Sequence, residues 1–155
     1  MTSREHGDVR HDECKLFIYE LLFSLAMKYL SEEQVIALNA LAIALIPAKK
    51  SDATHLASRT KLTRALEECR SCSGDAYAKA VVLLREIVRA HAFVSANRRT
   101  ALLATKEFLI MNGGHLGVPD DPRSATVLRG IRESYYSDEE IEGWLRYGTI
   151  KEFRR

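Results

Sequence analysis

Cysteine, proline and glycine are all scarce in this chain. Three cysteines (Cys14, Cys69 and Cys72) among 155 residues are too few, and odd in number, for a secreted disulfide framework. Three prolines and eight glycines leave little punctuation for a many-turned all-β fold. An excess of one charge is missing too. Lys and Arg number 23 and Asp and Glu 21, and a net +2 is too even to point to a nucleic-acid partner. No apolar run is long enough to span a bilayer, since the stretch from Val35 to Ala48 is short and interrupted by Asn39 and Pro47. The first fifteen residues carry seven charged side chains, which no secretory signal does. The expectation is a cytoplasmic protein whose partners are neither membrane nor nucleic acid.

What is present is ordinary globular composition, with 46% apolar and 28% charged residues. The length fits one domain that buries about 70% of its unfolded surface. The apolar pattern has the period of helices throughout, and no strand-period run stands out. Residues 1–11 are polar. Leu16, Tyr19, Phe23, Ala26, Met27 and Leu30 predict a helix over about 12–30. Ser31 with Gln34 forms a capping box that opens a second, running through Val35, Leu38 and Leu45 to Pro47. Residues 47–58 have no period and read as a loop or flap. Leu62, Ala65, Leu66 and Cys69 predict a short helix that ends near Ser73-Gly74.

Asp75 caps the next helix, over 76–90, in which Ala76, Ala80, Leu83, Leu84 and Ile87 form a stripe that His91 continues, with Lys79, Arg85, Glu86 and Arg89 mostly off it. A second strong helix spans 97–111 and ends at Asn112-Gly113-Gly114. Val127, Ile131 and Tyr135 mark another. Ser137 with Glu140 opens the last, with Ile141, Trp144 and Leu145 as core. The class is all-α, and 76–90 and 97–111 should form a central antiparallel pair.

The segment joining that pair, HAFVSANRRT at 91–100, holds the chemistry. His91 closes one helix at its negative end, a placement that suits a proton-accepting imidazole. Asn97 opens the next, whose first N–H groups form an anion cradle. Arg98 and Arg99 add guanidinium forks that match phosphate oxygens. On residues alone, phosphate-ester chemistry competes with a blander reading, a core histidine followed by two surface arginines at a loop.

The segment resembles the signature of the Fic/Doc family, a His-x-Phe-x-acidic-small-Asn-x-Arg string between two central helices. His91, Phe93, Ala96, Asn97 and Arg99 match it in order. Arg98-Arg99-Thr100-Ala101 is similar to the Asn-Lys-Arg-Thr-Ala form of the Doc (death-on-curing) branch, with Arg98 in the lysine position. The Fic branch has glycine there and a second arginine three residues after the first, where this chain has Leu102. Leu30 to Leu38, Arg59 to Leu66, and Phe108, Leu109, Asn112 and Gly113 extend the resemblance. It divides the chain into an N-terminal extension, 1–29, and a Fic/Doc-like helical domain, 30–155.

The resemblance implies a nucleotide-dependent transferase acting on a protein hydroxyl. His91 would be the general base and Phe93 a buried loop anchor. Asn97 and the neighbouring backbone N–H groups would hold phosphate, and Arg98 and Arg99 would neutralise developing charge. ATP or another nucleoside triphosphate would be the donor, with Mg2+. The Doc branch further implies phosphoryl transfer to a translation elongation factor by a toxin that an antitoxin restrains. AMP transfer, and a catalytically impaired binding or regulatory protein, are the alternatives. The family's acidic residue, which positions magnesium, is Ser95 here. Its neutral hydroxyl would orient a water ligand less firmly. The family's proline after the histidine is Ala92.

The remaining signals are structural. Cys69-x-x-Cys72 has no second pair to complete a zinc site and reads as reduced helix cysteines. Asp138 to Gly143 (DEEIEG) reads as a capped helix start, not as an inhibitory motif. His6 and His11 read as solvated, His55 as flap surface and His115 as loop. Lys49-Lys50 is too short a basic run to argue nucleic acid.

Overall fold

The two capping boxes, the apolar stripes and the Asn-Gly-Gly stop all place helix ends. In the computed structural model, which describes residues 9–45 and 54–155, seven helices follow from them: α1 (Val9–Leu25), α2 (Glu32–Leu45), α3 (Arg59–Ser71), α4 (Ala76–Ala90), α5 (Asn97–Met111), α6 (Arg123–Arg132) and α7 (Asp138–Tyr147). The all-α expectation holds. Extended pairing among the described residues is limited to one isolated antiparallel bridge, Leu56 with Phe93. His6, Pro47, Lys49 and Lys50 lie outside the described residues, as does most of the 47–58 flap.

α4 is the centre. Ala80, Leu83, Leu84 and Ile87 are buried, joined by Val81 and Val88 on the flanks of the stripe. Burying a side chain of that size stabilises by roughly 1.5–3 kcal/mol. α5 meets α4 with small residues, Ala101 and Ala104, which let the backbones approach, and with Phe108 and Leu109 beyond them. Two buried threonines in α5 satisfy their hydroxyls internally, Thr100 donating to the Ala96 carbonyl (2.9 Å) and Thr105 to that of Ala101 (2.8 Å). The pair is antiparallel: Tyr77, at the start of α4, donates to the carbonyl of His115, just past the end of α5 (2.8 Å).

α7 lies along α4 in the opposite sense. Its first residue, Asp138, pairs with Arg85 near the end of α4, and its Arg146 pairs with Asp75 at the α4 cap (2.9 Å). The Ser137–Glu140 capping box forms with both of its reciprocal bonds, and Ile141, Trp144 and Leu145 are buried.

Four readings need correction. The first helix ends at Leu25, not Leu30. Lys28 gives its N–H to the Asn112 side chain (2.8 Å) and its carbonyl accepts from the same side chain (2.9 Å), so that backbone is committed to the end of α5. The described side chains of α1 are also exposed, Phe17, Tyr19 and Leu25 among them, where the apolar spacing suggested a packed helix. Lys79 is not off the core: it is buried, and its ammonium donates to the carbonyls of Cys69 (3.3 Å), Arg70 (3.0 Å) and Cys72, a cation on the negative end of α3. Tyr135 falls beyond α6, because Ser134 turns left-handed (φ 61°) and closes the helix at Arg132.

The cysteines carry no disulfide among the described residues. Burial pushes the Cys69 thiol up to about 12.

Candidate functional site

The loop between α4 and α5 begins by leaving the stripe. His91 adopts a left-handed conformation (φ 51°, ψ 45°), so the chain swings outward at the residue expected to continue the buried face. His91 is therefore exposed, and Ala92 and Phe93 go into the core instead. Ala96, just before α5, is also left-handed (φ 61°). For a residue with a Cβ that conformation costs roughly 1–2 kcal/mol, so two strained positions bracket the loop.

Packing and hydrogen bonds hold the strain. Phe93 is 2% exposed. Its N–H donates to Oδ1 of Asn97 (3.0 Å), and its carbonyl accepts from Nδ2 of Asn97 (2.7 Å). Residues 55–58 run alongside. Ala57 and Ser58 donate to the Ala92 carbonyl (2.8 and 3.0 Å), and Val94 donates to that of His55 (3.0 Å). From α2, the buried Asn39 donates to the Ser95 carbonyl and to the Thr100 hydroxyl, both at 2.9 Å. Arg99 donates to the Ala42 carbonyl of α2 (3.0 Å).

The loop opens onto a cleft of about 690 Å³, a size usual for small-molecule sites. His91, Ser95, Asn97, Arg98 and Arg99 line one side, and the first turn of α5 has no side-chain cap. Leu102, one turn further along α5, also lines it. The opposite wall is a face of α6, carrying Ser124, Leu128 and Arg132. No carboxylate among the described residues lines the cleft. Arg98 and Arg132 are exposed and make no hydrogen bond or ion pair among the described residues. This is an electropositive, partly apolar slot with a reachable imidazole at its edge. It can hold an anion and offer a proton acceptor beside it.

The structure thus sets His91, Ser95, Asn97, Arg98 and Arg99 on the cleft and Phe93 in the core. The Asn97 side chain is committed to the Phe93 backbone, so what it can offer an anion is its own backbone N–H. Arg99 is tethered to α2, while Arg98 reaches solvent.

A protein-held magnesium ion does not fit these residues. A hard divalent cation takes anionic oxygen, and among the described residues the cleft supplies neutral hydroxyls, those of Ser95 and Ser124. No group of three His, Cys, Asp or Glu able to hold a metal occurs among the described residues.

Sequence reading missed Asn39 and the α6 wall. Asn39 had a signal, as the polar residue inside the apolar run of α2. Arg132 had none, because it lies more than thirty residues from the loop and nothing local marks it.

No helix among the described residues is long and apolar enough to cross a membrane. No curated protein matches the chain. Residues 29–109 match the Fic/DOC family, and that span holds α2 to α4, the loop and nearly all of α5. With more than half of its length matched, the chain belongs to the Fic/DOC family.

Proposed function

We propose that this protein is a Doc-like transferase that moves the γ-phosphoryl group of a nucleoside triphosphate onto a protein hydroxyl. The observation that carries this reading is the cleft. An exposed histidine, an uncapped helix start and three arginines converge there, with no carboxylate among the described residues that line it. In the step proposed, the target hydroxyl oxygen attacks the γ-phosphorus. The bond from that phosphorus to the bridging oxygen breaks, and the diphosphate leaves with the electron pair. The hydroxyl proton passes to the His91 imidazole. Arg98, Arg99 and the first N–H groups of α5 offset the charge on the phosphate oxygens.

Arg98 and Leu102 support phosphoryl over AMP transfer. Both line the cleft, Arg98 filling space that glycine would leave open and Leu102 offering no donor for a second phosphate contact. On this reading the target is a translation elongation factor, an antitoxin restrains the protein, and both meet it in the cytoplasm.

The second reading, a binding or regulatory protein that has lost catalysis, is favoured by Ser95, a neutral residue in the position where the family has its acid. ATP labelled at either the α or the γ phosphate separates the readings, in reactions with and without magnesium. Label from γ-labelled ATP alone, lost in His91→Ala, supports phosphoryl transfer. Label from α-labelled ATP means AMP transfer. Ser95→Asp adds the missing anionic oxygen and should raise transfer at least severalfold where metal placement is limiting. No label from either donor, in wild type or Ser95→Asp, selects the binding protein.

A further inference from the structure

The arginines of this protein are mostly spoken for. Arg59, Arg85, Arg129 and Arg146 each pair with a carboxylate, and Arg89 donates to the Ser134 hydroxyl. Arg132 has no such partner among the described residues, although an acid is adjacent in sequence. Glu133 is taken by Arg129 (3.3 Å) and Arg155 (3.6 Å). Arg132 instead lines the cleft opposite Arg98, which makes no ion pair among the described residues either. An exposed cation without a partner among the described residues, on the same cleft as a second one, is arranged for an added anion.

The wall that carries it is continuous. Ser124, Leu128 and Arg132 stand four residues apart and share one face of α6, with the buried Leu128 fixing that face against the core. At 1.5 Å per residue the wall is about 12 Å long. Cations on two walls of one cleft suit a chain of phosphates better than a single phosphate seated at the α5 turn.

We propose that Arg132 is a polyphosphate-binding residue. It grips a phosphate of the bound nucleotide from the α6 side, while the α5 turn and Arg98 hold another. This rests on the nucleotide-binding reading above and adds a contact from outside the signature loop. A forked, charge-assisted contact of this kind is worth roughly tenfold to a hundredfold in affinity.

The test is calorimetric titration with ATP, inorganic tripolyphosphate and orthophosphate. Wild type is compared with Arg132→Ala, Arg132→Lys, Arg98→Ala and Arg129→Ala. Arg129 is in the same turn of α6 but pairs with Glu133, so Arg129→Ala controls for changes to that helix end. The expected result is tripolyphosphate and ATP affinity lower by about tenfold to a hundredfold in Arg132→Ala and partly restored in Arg132→Lys. Arg129→Ala should match wild type, and orthophosphate should be indifferent to Arg132. If wild type binds ATP, Arg98→Ala weakens it and Arg132→Ala does not, the role of Arg132 is overturned while the nucleotide reading stands. If wild type binds neither ATP nor tripolyphosphate, both fall.

Discussion

Asn97 and Phe93 close a ring: the Asn97 side chain accepts from the Phe93 N–H at 3.0 Å and donates to the Phe93 carbonyl at 2.7 Å, with both residues buried. This one side chain satisfies both backbone groups of the residue that pins the loop. It sets the path of the chain from His91 to the start of α5, and so the place of the imidazole relative to the cleft.

Asn97→Ala leaves two buried backbone groups unpaired. The expected cost is about 2–4 kcal/mol in urea denaturation, with loss of ATP binding as the loop relaxes. Asn97→Asp keeps the acceptor but sets a carboxylate oxygen against the Phe93 carbonyl, and should be destabilising as well. A cost under about 0.5 kcal/mol for Asn97→Ala would mean the ring is not held in solution.

Ala96 carries left-handed strain that glycine would not. Ala96→Gly should raise stability by about 0.5–1 kcal/mol, the relieved strain exceeding the extra entropy of glycine in the unfolded chain. Thermal melting checks it. A lower melting temperature would show that the alanine methyl packs more usefully than its backbone costs.

Asp75 links stability to pH. The Ala78 N–H donating to its carboxylate, and then the Arg146 guanidinium, hold it below the usual carboxylate range against a desolvation that opposes them. A depressed folded pKa stabilises above the unfolded value, near 4, and that contribution disappears as pH falls through the folded value. Asn caps a helix about as well as Asp but neither titrates nor pairs with Arg146. Asp75→Asn should therefore be less stable than wild type at pH 7 by roughly 0.5–1 kcal/mol. The gap should narrow on going to about pH 3, as pH falls below the unfolded value towards the depressed folded one. Glu32, held down by the Thr63 hydroxyl, and Glu140, held down by Lys151, keep an acid slope in both proteins. An equal gap at the two pH values would exclude the linkage.

The folded domain should begin just before Tyr29. Tyr29 meets Phe108, Lys28 is bonded to Asn112 and Leu30 is buried, whereas the described α1 side chains are exposed. A chain starting at Met27 is expected to melt within about 3 °C of the full chain, since little buried surface is lost. A large drop would place α1 in the fold. The truncated chain should also be more soluble, because the leucines and aromatics of α1 go with it.

Much of this protein can be read along the chain, because the signals are local. The Ser31 and Ser137 boxes, the Asp75 cap and the Asn112-Gly113-Gly114 stop each depend on residues within one helical turn, and each helix end falls where those residues place it. The stripes of α4 and α5 likewise declare their buried faces by period alone. The signature loop was found as a string, with Asn97, Arg98 and Arg99 already grouped.

Other features depended on residues far apart in sequence. Nothing near Lys28 says that Asn112 will take its backbone and stop α1. Nothing near Lys79 says that the end of α3 will accept its ammonium in the core. His91 fits the α4 stripe by period, and only the packing of Phe93 and the grip of Asn39 and Asn97 turn it out to solvent. Arg132 became part of the cleft because α6 packs across from the loop. Helix ends and faces are matters of local hydrogen bonding and period, which a linear sequence carries. The direction of a side chain in a strained loop, and the charges that gather around it, depend on how the helices pack, and that was settled only by the tertiary structure.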